Sequence, residues 1–148
     1  MKKQVFKVAE LLSLSLMLAV VAVSASLDGK IKANIPFAFS VGGKTLPAGA
    51  YTVAPQTIRG VLVIRSEDGR KAMNVITNDV IARQQPQQTK LVFRRYGDQY
   101  FLAQVWTAGM SDGRKIPTSR AERELLKDRA KHLARNVAEP ELVSIVAE

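Results

Sequence analysis

The chain has 148 residues, of which 47% are hydrophobic and 24% are charged, and its formal net charge is +9 at pH 7. This balance is typical of one globular domain and excludes a disordered or fibrous chain. The sequence has no cysteine, which excludes disulfides, thiolate catalysis and a lipoprotein anchor. Hydrophobic packing alone must therefore hold the fold.

The first residues have the pattern of a secretory signal peptide. Three lysines precede a largely apolar run over residues 11–23, and the small residues at its end suit cleavage after Ala25. A membrane span needs about 20 apolar residues, so this run favours cleavage over an uncleaved anchor. We expect residues 1–25 to be removed. Residues 26–148 would then form a single exported domain in the periplasm or outside the cell, with no transmembrane span.

The first half of that domain is rich in strand and turn signals. Alternating or continuous apolar residues predict strands at residues 30–41, 51–54, 61–65 and 71–81. Turns are predicted at Gly42-Gly43, at residues 46–49 and at Asp68-Gly69, and a polar loop at residues 84–88. Pro36 cannot donate to a strand ladder, so we expect it at a sheet edge or a bulge.

Residues 90–106 predict a central β-hairpin whose turn is Gly97-Asp98. Counting outward from that turn pairs Arg95 with Tyr100, Arg94 with Phe101, Phe93 with Leu102, Val92 with Ala103 and Leu91 with Gln104. Both faces of this hairpin are partly apolar, which predicts that other elements cover it on both sides. A further turn is predicted at residues 111–113.

The apolar period changes after Pro117 and predicts an amphipathic helix from residue 120 to about residue 135. Ser119 and Glu122 have the spacing of a capping box at its start. Its apolar positions are Leu126, Ala130, Leu133 and Val137. Asn136 is its expected end. Pro140 prevents continuation, and residues 142–146 predict a short last strand.

These elements predict a mainly β fold. We expect an antiparallel meander of about seven or eight strands, curled into a small barrel or sandwich, because curling removes exposed edges. One amphipathic C-terminal helix and a short final strand would complete it.

Three blocks of the sequence, at residues 35–53, 94–106 and 119–125, together resemble a family of small exported proteins found in soil bacteria. The blocks occur in order and span nearly the whole exported part of the chain. The resemblance implies export but no activity, because none is assigned to that family.

The residues that usually carry catalysis or bind metals are sparse. His132 is the one histidine, and it lies in the predicted helix without an identifiable partner, so we interpret it as a solvated helix residue rather than a general base. The acidic pairs Glu67-Asp68 and Glu122/Glu124 suit a turn and a helix N-terminus, respectively, better than a metal site. We therefore expect neither an enzyme nor a metal or cofactor site.

Two other motifs allow a functional as well as a structural interpretation. Gly42-Gly43 does not belong to a full Gly-x-x-x-x-Gly-Lys-Ser/Thr run, and no helix is predicted after it, so a hairpin turn is a better interpretation than a phosphate-binding loop. Trp106, Tyr96 and Tyr100 could form an aromatic platform for a sugar or a base, although core and cross-strand packing are the commoner roles of such residues.

Basic residues are concentrated late in the chain. The candidates for binding a polyanion are Arg114, Lys115, Arg120, Arg123, Lys127 and Lys131. A basic amphipathic helix can bind an anionic surface, and export favours envelope polymers over nucleic acid as its partners. Alternatively, the apolar stripe of the helix packs on the sheet while the charges face water and pair locally, as the spacing of Arg120 and Glu124 allows.

The sequence therefore leaves two functional hypotheses. In the first, the chain is a non-enzymatic exported module of the cell envelope that binds a protein or a small ligand through its sheet or barrel mouth. In the second, the basic helix binds anionic lipid or acidic polysaccharide.

Overall fold

The computed structural model describes residues 29–132 and 139–148. The expected signal peptide and the predicted end of the helix at Asn136 lie outside these residues. Within them the chain forms eleven strands and one helix: β1 (Ile31–Ile35), β2 (Phe39–Val41), β3 (Lys44–Leu46), β4 (Gly49–Pro55), β5 (Val61–Ser66), β6 (Ala72–Ile76), β7 (Asn78–Ile81), β8 (Lys90–Tyr96), β9 (Gln99–Trp106), β10 (Asp112–Lys115), α1 (Arg120–His132) and β11 (Glu141–Val146).

The strands form two sheets that pack as a sandwich. The small sheet has the order β1-β4-β5-β6, and the large sheet has the order β11-β8-β9-β10-β7. In the large sheet, β2 also pairs with β9, and β3 pairs with β2. The mainly β class and the sandwich alternative are confirmed, as are the helix and the final strand. The described sheets do not close into a barrel. One strand pair is not antiparallel, because β2 runs parallel to β9. The meander order is also interrupted where β1 pairs with β4, β7 with β10 and β8 with β11.

Two predicted strands are each broken into two, and β3 and β10 form where no strand is predicted, so eleven strands replace the expected seven or eight. The strand predicted at residues 30–41 stops at Pro36, and its second half joins the large sheet as β2. The strand predicted at residues 71–81 breaks at Thr77, where β6 of the small sheet gives way to β7 of the large one. Thr77 is buried, and its N–H and hydroxyl donate to the carbonyl of Gly60 at 2.7 and 3.1 Å.

The core lies between the two sheets and takes side chains from both. On β1 the burial alternates, so Ile31, Ala33 and Ile35 face inward as predicted. Phe39 and Phe93 are among the most deeply buried side chains, and their rings meet edge to face at 5.5 Å. The two sheets therefore share one hydrophobic cluster.

The central hairpin has the predicted turn, and its predicted register is correct for the first three pairs above it. Arg95 faces Tyr100, Arg94 faces Phe101, and Phe93 faces Leu102. The pairs predicted beyond that point are wrong: Val92 faces Gln104 and Leu91 faces Val105. Ala103 is the extra residue of a β-bulge, which shifts the register by one and allows both faces of β9 to be buried.

The turn predicted at residues 111–113 lies earlier in the chain. It spans Thr107 to Met110, where the N–H of Met110 donates to the carbonyl of Thr107 at 3.2 Å. Gly113 is instead a buried residue of β10 under the indole of Trp106. A Cβ at this position would lie 2.5 Å from a ring carbon of Trp106, so only glycine fits.

At one edge the two sheets are joined by the last residues of the chain. Lys32 of β1 and Glu148 exchange two backbone hydrogen bonds, at 2.7 and 2.9 Å. Ala147 donates its N–H to the carbonyl of Thr89 at 2.9 Å. The tail after β11 thus continues across to the small sheet.

Among the described residues, α1 is too short and too polar to cross a membrane, and no other helix is present there.

Candidate functional site

Helix α1 begins where the sequence predicts. The Ser119 hydroxyl accepts a hydrogen bond from the N–H of Glu122 at 3.2 Å, which satisfies one of the free donors of the first turn. The second half of the predicted capping box does not form, because the Glu122 carboxylate bonds to the sheet instead.

Glu122 is the residue that docks the helix. It is 1% exposed, and its two carboxylate oxygens accept from Nε and Nη2 of Arg94 on β8, at 2.6 and 3.0 Å. The Tyr96 hydroxyl donates to the same carboxylate at 3.0 Å. A bidentate pair with a third donor is the arrangement that compensates for burying a carboxylate.

Tyr96 connects this polar cluster to its apolar surroundings. Its ring meets Phe101 edge to face at 5.8 Å, and the guanidinium of Arg129 lies 5.9 Å from its centroid. Burial raises the pKa of Tyr96, and its hydrogen bond to Glu122 raises it further. The hydroxyl therefore stays protonated and remains a donor at neutral pH.

The described part of the predicted apolar stripe of the helix does not enter the hydrophobic core cluster. Leu126 is half-buried and Ala130 is exposed, while Leu133 and Val137 lie outside the described residues. Glu122 is the one buried side chain of α1, and no residue of α1 belongs to the hydrophobic core cluster. Polar contacts through Arg94, Tyr96 and Arg129 fix the orientation of the helix.

That orientation points a basic stripe at solvent. Four of the predicted polyanion-binding residues lie three or four positions apart and are all exposed: Arg120, Arg123, Lys127 and Lys131. Residues at this spacing share one helix face, and at 3.6 residues per turn that face lies roughly opposite Glu122 and Arg129. We call these four residues the basic stripe.

The local partners of the stripe are weak ones. Arg120 binds Glu124 at 2.9 Å, and Lys131 lies 3.7 Å from Asp128, in pairs whose side chains are all more than half exposed. Arg123 donates to the backbone carbonyl of Thr118 at 2.8 Å. Exposed pairs of this kind are worth about 0 to 1 kcal/mol, so an anionic partner can compete for the cations.

The remaining two predicted residues lie apart from the helix, on β10. Arg114 forms an ion pair with Asp79 of β7 across the strand pair and is half-buried. Lys115 is exposed. The structure thus places four of the six candidates on one helix face and two on a strand.

The other candidate motifs have structural roles. Gly42 and Gly43 adopt positive φ angles of 57° and 83° in the β2–β3 turn, as predicted for a hairpin. Asp68 accepts from the Ser66 hydroxyl at 2.5 Å and from the N–H of Arg70 at 3.0 Å, and these bonds lower its pKa. His132 is exposed in the last turn of α1.

The three aromatic residues proposed as a platform do not share one surface. Tyr96 is buried under α1, and Trp106 is buried against Gly113. Tyr100 stacks on Phe37, with centroids 3.8 Å apart and the rings 12° from parallel. The packing interpretation is therefore confirmed.

The main depressions of the surface are open to solvent. Two of them, of about 460 and 500 Å³, share Tyr51 and Ser66, and the second extends to Ala147 and Glu148. The Tyr51 hydroxyl is not a free donor in either depression, because it donates to the carbonyl of Pro47 at 2.7 Å.

Sequence reasoning missed the Arg94–Glu122–Tyr96 cluster. From the sequence alone, Glu122 has a role at the helix N-terminus, and Arg94 is only a strand residue of the central hairpin. One signal was present: Arg94 alternates with Val92 and Tyr96 in a strand expected to be covered on both faces, so it required a buried anion. Two of the three blocks that carry the family resemblance contribute to this cluster.

Comparison with known proteins adds no relative. The chain matches no protein-family model, no curated protein and no solved structure.

Proposed function

We propose that this chain is a non-enzymatic exported module of the cell envelope that binds an anionic surface through the basic stripe of α1. The observation that carries the proposal is the orientation of the helix. The Arg94–Glu122 pair holds one side against the sheet and leaves Arg120, Arg123, Lys127 and Lys131 exposed together on the other side.

Charge and compartment support this function. The whole chain is basic, at +9, and the expected signal peptide would bring it to an envelope rich in anionic lipids and polymers. A row of cations near an anionic membrane gains about 1 kcal/mol for each Lys or Arg. Because the stripe belongs to a docked helix, the row is already formed before binding, and little ordering cost is added.

The alternative function is a protein or small ligand bound by the sheets. Side chains from both sheets fill the space between them, and the main depressions are open ones. A basic row therefore has more direct structural support than a ligand cavity.

Vesicle sedimentation tests the proposal. We expect the full exported chain to bind vesicles that contain phosphatidylglycerol. Raising the salt concentration above 0.1 M, where the Debye length is about 10 Å, should release the chain from the vesicles because the charges are screened. Arg123→Gln with Lys127→Gln should weaken binding roughly 30-fold, since two cations are worth about 2 kcal/mol. A parallel arm with a soluble acidic polysaccharide distinguishes lipid from polymer as the source of the anions.

The matched control is Arg70→Gln with Arg83→Gln, which removes the same charge from two exposed residues far from α1 in sequence. If this pair weakens binding as much as the stripe variant, only net charge matters and the stripe is not the site. Binding that is insensitive to salt would instead favour an apolar ligand site.

A further inference from the structure

One edge of the small sheet has no strand partner among residues 29–132 and 139–148. Strand β6 ends that sheet, and β5 is its one strand neighbour among the described residues. Two hydrogen bonds bracket the pair: Ser66 donates to the carbonyl of Lys71 at 2.8 Å, and Thr77 donates to that of Gly60 at 2.7 Å. Because ladder bonds alternate along a strand, the backbone groups of Ala72, Asn74 and Ile76 point away from β5.

This edge lacks the features that usually block strand addition. Residues 72–76 carry no charge and no proline, and Ile76 is 74% exposed. Edge strands in soluble proteins are normally protected by charges, prolines or bulges, because a free edge pairs with other chains.

A groove runs along the same edge. Two surface depressions, of about 490 and 400 Å³, share Gly42 and Asn74: the first also extends over Val63 and Arg65 of β5, and the second follows β6 from Asn74 to Ile76. Such a strand is about 17 Å long. The opposite wall is formed by the β2–β3 turn and the extended segment before α1, and buried Val75 and Ile116 contribute apolar surface.

The charged residues of the groove all have one sign. Lys44 and Arg65 line one depression and Arg120 lines the other, with no acidic side chain in either lining. An occupant with carboxylates at its ends therefore complements the groove. A second copy of this basic chain would bring two basic surfaces together, which disfavours self-pairing.

We propose that β6 and this groove bind an extended segment of a partner protein, apolar at alternate positions and acidic at its ends, which adds as a strand to the small sheet. The backbone groups of Ala72, Asn74 and Ile76 would pair with the segment, and its alternate side chains would enter the groove. Only Arg120 of the basic stripe lines this groove, so this proposal can be tested independently of the proposed function.

The probe is an acetylated and amidated peptide, Glu-Val-Thr-Val-Thr-Val-Glu. By NMR hydrogen exchange, we expect the amides of Ala72, Asn74 and Ile76 to exchange fast in the free chain and at least tenfold more slowly with saturating peptide. The same peptide with every backbone nitrogen methylated has no N–H donor on either edge and should not bind. A version with lysine in place of glutamate should bind more weakly.

Two variants test the edge itself. Asn74→Pro removes an outward N–H and leaves the β5 ladder intact, so it should weaken peptide binding at least tenfold. Ile76→Glu places a negative charge on the edge that repels the acidic ends of the peptide and should do the same, which keeps the test valid if the proline variant fails to fold. Ile81→Glu is the matched control, because Ile81 is 81% exposed on β7 and lies outside the groove lining.

Several results would overturn the proposal. These are no change in exchange at the three amides with saturating peptide, equal binding of the N-methylated peptide, or equal losses in the Ile76→Glu and Ile81→Glu variants. Slow exchange in the free chain would mean that another part of this chain already covers the edge. A dimer in sedimentation that Asn74→Pro dissociates would identify a second copy as the occupant. Retained peptide binding by Arg123→Gln with Lys127→Gln would show that the two sites are independent.

Discussion

At the scale of single residues, the most consequential one is the buried glutamate at position 122. Glu122 lies in the first helical turn, where a carboxylate already interacts favourably with the helix dipole. Its burial between Arg94 and Tyr96 turns that local preference into an attachment point between the helix and the large sheet. The same contact decides which helix face is exposed to solvent.

Removing the Glu122 carboxylate should therefore be costly. We expect Glu122→Ala to lower the free energy of unfolding by about 3 to 5 kcal/mol, because it leaves Arg94 buried without its counter-ion. Glu124→Ala, on the exposed side of the same turn, should cost about 0 to 1 kcal/mol. Urea unfolding of both variants makes the comparison, and similar small losses would show that the ion pair is not what holds the helix.

At the scale of elements, the central hairpin and the helix contribute to stability in different ways. The hairpin is buried on both faces: Phe93 and Leu102 belong to the core, while Tyr96 and Phe101 pack on the opposite side. The helix adds no side chain to the core cluster and is fixed by polar contacts. Core packing and helix orientation are thus carried by different parts of the chain.

A pair of alanine substitutions separates these contributions. Phe93→Ala should cost about 3 to 5 kcal/mol, since it removes a fully buried ring and leaves a cavity. Leu126→Ala should cost about 1 kcal/mol or less, because that side chain is only half-buried. Thermal and urea melts give both values. A loss above 2 kcal/mol for Leu126→Ala would restore the view that the apolar stripe docks the helix.

At the scale of the whole molecule, the two sheets are joined by a shared core, by chain segments that cross between them and by the C-terminal tail. The crossings follow Ile35 and Ile76, where the chain leaves the small sheet for the large one. The tail closes one edge by pairing Glu148 with Lys32. The β6 edge has no such covering among the described residues, which is why it is the available site for a further strand.

Deleting residues 147–148 should loosen the closed edge. It removes the two backbone bonds to Lys32 and the bond from Ala147 to Thr89, and we expect a loss of about 1 to 3 kcal/mol in unfolding free energy. Glu148→Gln should have almost no effect, because the backbone makes those bonds. Faster amide exchange at Lys32 in the deletion variant would locate the change, and an unchanged rate would mean that the core alone joins the sheets.

The sequence by itself determined the features that depend on near neighbours in the chain. The inward positions of β1, the glycine turns at residues 42–43 and 97–98, the first three hairpin pairs and the start of α1 at Ser119 all follow from short-range geometry. Only the tertiary structure decided the rest. Pro36 and Thr77 break strands because the chain must change sheets there, and the bulge at Ala103 follows from burying both faces of β9. Glu122 meets Arg94 across 28 positions, a contact that no local period encodes, and this contact determines that the basic stripe faces outward.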